Sequence, residues 1–331
     1  MDIDPSTMAL FTATRAVHFG ACLLLFGVWV FDRLIAGPLN DAPNVSKHWL
    51  PITRWLVFIS LPLVFLSGAA WLGFNAINMS GLPPSLALRG DILRIVLTDT
   101  HFGHLWEIRA MLFGAAFIAS IAALIVPNAS RLRSPLIWTS LLLSGTVAGS
   151  LAWAGHGLTG EPMRWHLLAD VIHVLITGFW PVGLLPLVLV MGKLERAKHW
   201  TSIARIVRRF SIMSLTSVTL LMITGLVNSW ILVGSISAFV SSAYGWVLLA
   251  KVVLFFAMIG LGAVNLIHLR PRLSIDLSEG TGQPGLAATS RLRFNVMIEL
   301  AICVAIFLLV GLLGLLPPAM EAMLHQHHHA R

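Results

Sequence analysis

The chain predicts an all-α fold, a polytopic membrane helix bundle of about eight transmembrane helices, and three observations carry that reading. Of its 331 residues 57% are apolar and only 11% are charged, against roughly 25% charged in an average soluble domain. Its mean hydropathy is +0.86. Apolar runs of about 20 residues, long enough to cross a hydrocarbon core about 30 Å thick, recur along the whole length. A disordered chain and an ordinary soluble enzyme are excluded.

In order, the predicted spans are Met8–Leu34, Ile52–Ile77, His104–Val126, Pro135–Ala154, Trp165–Met191, Phe210–Val233, Tyr244–His268 and Phe294–Leu316. Breakers separate them: Gly37-Pro38, Gly81 to Pro84, Pro127-Asn128, Gly155 to Pro162 and Gly280 to Gly285, with Pro317-Pro318 closing the last. No soluble domain and no internal repeat stands out. The expected division is a three-helix segment over 1–130, a five-helix segment over 131–319 and a His-rich tail over 320–331.

Loop charge predicts the orientation. The loops after spans one, three, five and seven carry fifteen Lys and Arg, among them Arg33, Arg133, Lys193, Arg209, Arg270 and Arg293; the opposite loops and the tail carry four, Arg89, Arg94, Arg164 and Arg331. Basic loops stay cytoplasmic, so both termini are expected on the periplasmic side. The net charge of +8 needs no nucleic-acid partner. Asp2 and Asp4, without a basic n-region, predict that span one is retained rather than cleaved as a signal peptide. Cys22 and Cys303 sit inside apolar runs and predict neither a disulfide framework nor a thiolate metal site.

The thirteen histidines are the compositional oddity. On this orientation His101, His104, His156, His166, His173 and the tail residues His325, His327, His328 and His329 all fall on the outer side or in its half of the membrane. Only His48, His199 and His268 fall on the inner side. Imidazole binds Cu, Zn, Fe and Ni, and the thioether of Met selects Cu(I). His156, Met163 and His166 therefore bring two imidazoles and a thioether to one short outer segment. His166, Asp170 and His173 are spaced i, i+4 and i+7 and share a helix face, where Asp170 can accept the second N–H of a ligating histidine. His18 lies about 15 Å into span one. His101 and His104 are three apart, with Glu107 one turn on.

Blander readings compete at each place. A histidine near a helix end, as His101 is, serves as an interfacial polar residue, and His18 or His173 can make a structural hydrogen bond between helices. The tail is a compositional hint. Lys251 and Asp170 lie at similar outer depth, which predicts that they pair, with Asn228 nearby. Glu299 enters from the other end and is expected to stand apart. A structural lock and support for a metal site are both open readings of the Lys251, Asp170 and Asn228 group.

The sequence resembles the bacterial copper-resistance protein D (CopD) family of membrane proteins. The likeness rests on Gly155-His156, on His166-Leu-Leu-Ala-Asp170-Val-Ile-His173, and on Phe179-Trp180-Pro-Val-Gly183-Leu-Leu-Pro186. It continues through Arg209-Phe210-Ser211, Thr224-Gly225-Leu-Val-Asn228-Ser-Trp230, Val233-Gly234-Ser235, Tyr244-Gly245 to Lys251, and Leu316-Pro317-Pro318-Ala319. It covers roughly residues 150–319; the first 130 residues match only in helix count and His18. The resemblance implies copper handling at the inner membrane, with copper ion moved from periplasm to cytoplasm and a periplasmic CopC-like copper-binding partner.

Two further readings come from other classes. A haem b or copper redox protein would use His18 and His173 as a bis-imidazole pair, since the two lie at similar depth. A non-catalytic, accessory subunit of a larger membrane complex would have copper delivery as its role. The other expected partners are membrane lipid and further copies of the chain. No Gly-x-x-x-x-Gly-Lys-Ser/Thr loop is present, so ATP hydrolysis is not expected. A transporter or metal-binding membrane protein is expected rather than an enzyme.

Overall fold

A computed structural model describes residues 5–39, 43–127, 130–154, 163–273 and 286–320. It contains eight helices long and apolar enough to cross a membrane, and among the described residues there is no strand. The all-α bundle predicted by hydropathy is the fold observed.

The first span, α1 (Pro5–Phe31), runs on through a π turn at Asp32–Ala36 and a 3-10 turn at Gly37–Leu39. It is the central helix, packed against α2 (Pro43–Ser80), α6 (Arg133–Gly149), α7 (Met163–Phe179) and α12 (Leu286–Leu313). Its most apolar stretch is 78% buried against other helices, whereas the span of α11 (Ala243–Val264) buries 11%. Rim helices expose Phe65, Ile118, Leu226 and Trp230 outward. That costs nothing where the surroundings are as apolar as the side chains.

Several boundaries differ from the hydropathy reading. α2 begins at Pro43 rather than Ile52, and α9 (Trp200–Val233) begins ahead of Phe210. Both add polar, basic turns that a window tuned to apolar residues passes over. α12 likewise starts at Leu286 rather than Phe294 and ends at Leu313. The helix expected over Trp165–Met191 is broken into α7 and α8 (Leu184–Arg196). Pro181 has no N–H to continue the ladder, and Val182 N–H instead reaches Thr177 O at 3.2 Å.

Short helices that the hydropathy reading leaves out lie in two of the connections between spans. α3 (Pro84–Ala87) and α4 (Gly90–Asp99) lie between α2 and α5 (His101–Ile125), and α10 (Ile236–Ser241) lies between α9 and α11. These segments reveal an internal repeat that does not stand out in the sequence. α2 and α9 both end near a left-handed glycine, Gly81 (φ 65°) and Gly234 (φ 71°), the conformation that favours glycine after a helix C-terminus. A hydroxyl then caps the next span: Thr100 accepts from Gly103 N at the start of α5, and Ser242 accepts from Gly245 N at the start of α11. The connection from span two to span three and that from span six to span seven thus run through a similar series of parts.

The basic loops meet at one end of the bundle. Arg33 Nη2 donates to Ser134 O at 2.8 Å and Arg209 Nη2 to Leu34 O at 2.9 Å. Arg293 Nη1 pairs with Glu195 Oε2 at 2.5 Å, and the His48 and His199 rings lie 5.6 Å apart.

Candidate functional site

His173 projects from α7 toward α9, with Nδ1 2.9 Å from Thr224 Oγ1. The Thr224 hydroxyl already donates to Leu220 O at 2.7 Å. Its oxygen therefore accepts, and the imidazole proton sits on Nδ1. That leaves Nε2 with its lone pair, and no described side chain hydrogen-bonds it. The ring edge lies beside Gly225.

One turn back on the same face, Asp170 Oδ1 accepts from Asn228 Nδ2 at 3.2 Å. His166, Lys251 and Tyr244 are its electrostatic neighbours. The direct Lys251–Asp170 pair expected from depth does not form: among the described residues Lys251 makes no ion pair, and the amide of Asn228 holds the carboxylate instead. His166 is only 1% exposed, although Trp165 next to it is 67% exposed.

His18 sits in the equivalent place in the first half. Its Nδ1 is 3.0 Å from Ser67 Oγ on α2, and Ser67 itself donates to Leu63 O. The logic is the same: a committed hydroxyl places the imidazole proton on Nδ1. Again a glycine, Gly68, follows the hydroxyl residue and faces the ring; a Cβ there would stand 3.2 Å from His18 Cε1. Here Nε2 is occupied, because Arg109 Nη2 on α5 donates to it at 3.0 Å. Cys22 Sγ lies 3.7 Å from the same nitrogen. Arg15 and Arg109 both stack on Trp71, with Cζ 5.0 and 5.2 Å from the ring centroid, a favourable cation–π arrangement.

The repeat therefore extends to the polar groups. Each half places a histidine on its first span, a hydroxyl followed by glycine on its second, and a cation on its third, Arg109 or Lys251. Gly103 and Arg109 are spaced as Gly245 and Lys251 are. Arg15 stands three residues before His18, where Asp170 stands before His173. Arg15, Arg109 and Ser67 are not among the residues that sequence reasoning finds, while Cys22 enters it only as part of an apolar run and Thr224 only within the resemblance. The i, i+3, i+7 spacing of Arg15, His18 and Cys22, and that shared glycine–cation spacing, are the signals available.

The other predicted residues fall elsewhere. His101 and His104 open α5 and are exposed with Glu107, because Phe102 and Trp106 take the inward positions. His156, His325, His327, His328 and His329 lie outside the described residues; Met163 opens α7, with its side chain outside them too. Among the described residues no three of His, Cys, Asp and Glu converge to hold a metal ion. Glu299 stands apart as expected: it accepts from Asn265 Nδ2 at 2.6 Å, and Asn265 Oδ1 accepts from Asn295 at 2.8 Å. This group borders a cavity of about 150 Å³ lined mostly by apolar side chains such as Trp180 and Phe210.

Eight candidate spans among the described residues, with polar side chains held between them, define a multi-pass membrane protein. Residues 4–167 match the family model "Copper resistance protein D-like, N-terminal domain", and residues 204–313 match "Copper resistance protein D". The chain is 34% identical over 325 residues to "Copper resistance protein D" of Pseudomonas syringae pv. tomato, covering 96% of this chain and 99% of that one. It is 28% identical to "Copper transport protein CutJ" of Bacillus subtilis, covering 92% of this chain and 52% of that longer one. Against "Inner membrane protein YebZ" of Escherichia coli the identity is 24%, with 92% and 97% covered. The chain belongs to the copper-resistance protein D family. The likeness reaches well beyond residues 150–319 and includes the half that holds His18.

Proposed function

We propose that the protein handles copper at the bacterial inner membrane, taking the ion from the periplasmic face and passing it inward along histidine and methionine side chains. His156, Met163 and His166 capture it, and His173 and His18 form deeper stations. The observation that carries this reading is the open Nε2 lone pair of His173, held in place by Thr224 and set one turn from Asp170 on a part-buried helix face. A neutral imidazole oriented through its second nitrogen is how proteins present a histidine to a metal. Family membership supports copper as the cargo. The tail histidines His325, His327, His328 and His329 act as an accessory collector, and a periplasmic CopC-like protein delivers the ion.

Purified wild type is expected to retain copper, and His166→Ala and His173→Ala to weaken retention at least tenfold, while His199→Ala at the basic end leaves it unchanged. Thr224→Val keeps the imidazole but releases its orientation, with an expected loss of about 10–100-fold. Equal retention in all of these variants would sink the assignment. A Soret band lost with both His18→Ala and His173→Ala would move the protein to the haem class.

Orientation is tested separately. The concentration of Lys and Arg at one end of the bundle supports both termini facing the periplasm. An impermeant thiol reagent applied to intact spheroplasts, in a background with Cys22 and Cys303 replaced, is expected to label Ser80→Cys and Thr159→Cys but not Ser278→Cys. The opposite pattern reverses the topology and removes the periplasmic capture site.

A further inference from the structure

Sequence alone makes Cys22 a residue of an apolar run with no metal role; its surroundings point elsewhere. It follows His18 by one helical turn, and its Sγ lies 3.7 Å from His18 Nε2. With metal–sulfur and metal–nitrogen bonds of about 2.3 and 2.0 Å, that separation subtends an angle of about 120° at a shared ion, a bent two-donor arrangement. The lone pair of His18 Nε2 is taken by Arg109 Nη2 at 3.0 Å, and the same guanidinium also reaches the Cys22 sulfur. The surroundings are short of negative charge. Arg15 is 6% exposed with its Nε unpartnered, and among the described residues neither Arg15 nor Arg109 forms an ion pair.

We propose that Cys22 Sγ and His18 Nε2 together hold one Cu(I) ion, and that the Arg109 guanidinium is the group that vacates the nitrogen when the ion arrives. This deepens the copper reading above and rests on it. Thiolate sulfur selects Cu(I) over harder ions. The step is an exchange: the Cys22 S–H bond breaks, a sulfur–copper bond forms, one proton leaves and no redox change occurs. Charge is conserved in the pocket, because one proton is replaced by one monovalent cation. That is the form of cation binding a site flanked by two guanidinium groups tolerates, whereas an added divalent ion would meet their full repulsion. Released from His18, Arg109 stays on Trp71, over which it already stacks. The equivalent turn after His173 carries Thr177, whose hydroxyl donates to His173 O at 2.8 Å. The thiol station is thus particular to the first half.

The experiment uses full-length protein in detergent under anaerobic reducing conditions, titrated with Cu(I) against a chromophoric chelator. Cys303→Ser leaves Cys22 as the only thiol in the chain, so a near-ultraviolet thiolate-to-copper band in that variant reports Cys22 directly. We expect the band in Cys303→Ser, its loss in Cys22→Ser with at least tenfold weaker Cu(I) binding at that site, and tighter binding in Arg109→Gln. Absence of the band in folded, copper-loaded Cys303→Ser overturns the proposal even if the Cys22 variants fail to fold. If copper then still binds and depends on His166 and His173, only the Cys22 station falls. If no variant and no wild-type sample binds copper, the broader copper reading falls with it.

Discussion

Gly311→Leu is expected to yield no folded protein, and Gly311→Ala a protein destabilised by about 1–3 kcal/mol. At Gly311 the backbone of α12 lies directly on α1, and a Cβ there would collide with the Thr12 carbonyl and stand 3.3 Å from Ala16 N. Helix association in a bilayer gains little from hydrophobic burial, so it depends on close backbone approach at small residues. A leucine at this point has no rotamer that avoids the facing helix, and the two spans must separate. Further along α1 the approach to α7 is just as close, since a Cβ on Gly27 would stand 2.8 Å from Gly178 O. Gly260 is the control: a Cβ there would meet no atom within 4 Å, so Gly260→Ala is expected to be neutral or slightly stabilising. Thermal unfolding and monodispersity in detergent measure all three. Wild-type stability in Gly311→Leu would show that the crossing is adjustable.

The parts of this fold legible in the sequence are those that one helix's own composition decides. Each span announces itself through its apolar content, and the sharing of one end by the basic loops follows from their alternation along the chain. What local reading cannot supply lies between helices. Ser67 and Arg109 are 49 and 91 residues from His18, and only packing brings them to its two ring nitrogens. Arg15 and Arg109 escape a count of arginines as loop charges, because neither lies in a loop. The break at Pro181 is masked by flanking residues as apolar as a continuous span. The repeat is hidden because its halves share roles more than residue types: Arg15 stands where Asp170 does, and Trp71 where Asn228 does.

That divergence explains why the second half carries the open histidine. In the first half two guanidinium groups surround His18 and one fills its nitrogen; in the second a carboxylate, an amide and a single amine surround His173, and its nitrogen is open. The same framework therefore presents one imidazole that is occupied and one that is ready.

Asp170→Ala is expected to be destabilising, by about 1–3 kcal/mol, because it strips the Asn228 amide of its acceptor and removes a carboxylate from the field of the Lys251 ammonium. The carboxylate is tied to α9 through Asn228 and lies in the field of Lys251 on α11, so its loss loosens three spans at once. Replacing both charges by apolar groups removes the unpaired cation, and Asp170→Ala with Lys251→Met is expected to recover most of the thermal stability. Copper retention separates the two roles that the sequence leaves open. If Asp170 serves the metal by orienting His166 or by offsetting the charge of the ion at His173, the double variant regains its fold and still holds copper at least tenfold more weakly than wild type. If retention recovers together with stability, Asp170, Lys251 and Asn228 are a structural lock, and the ion is held by the imidazoles without the carboxylate's help.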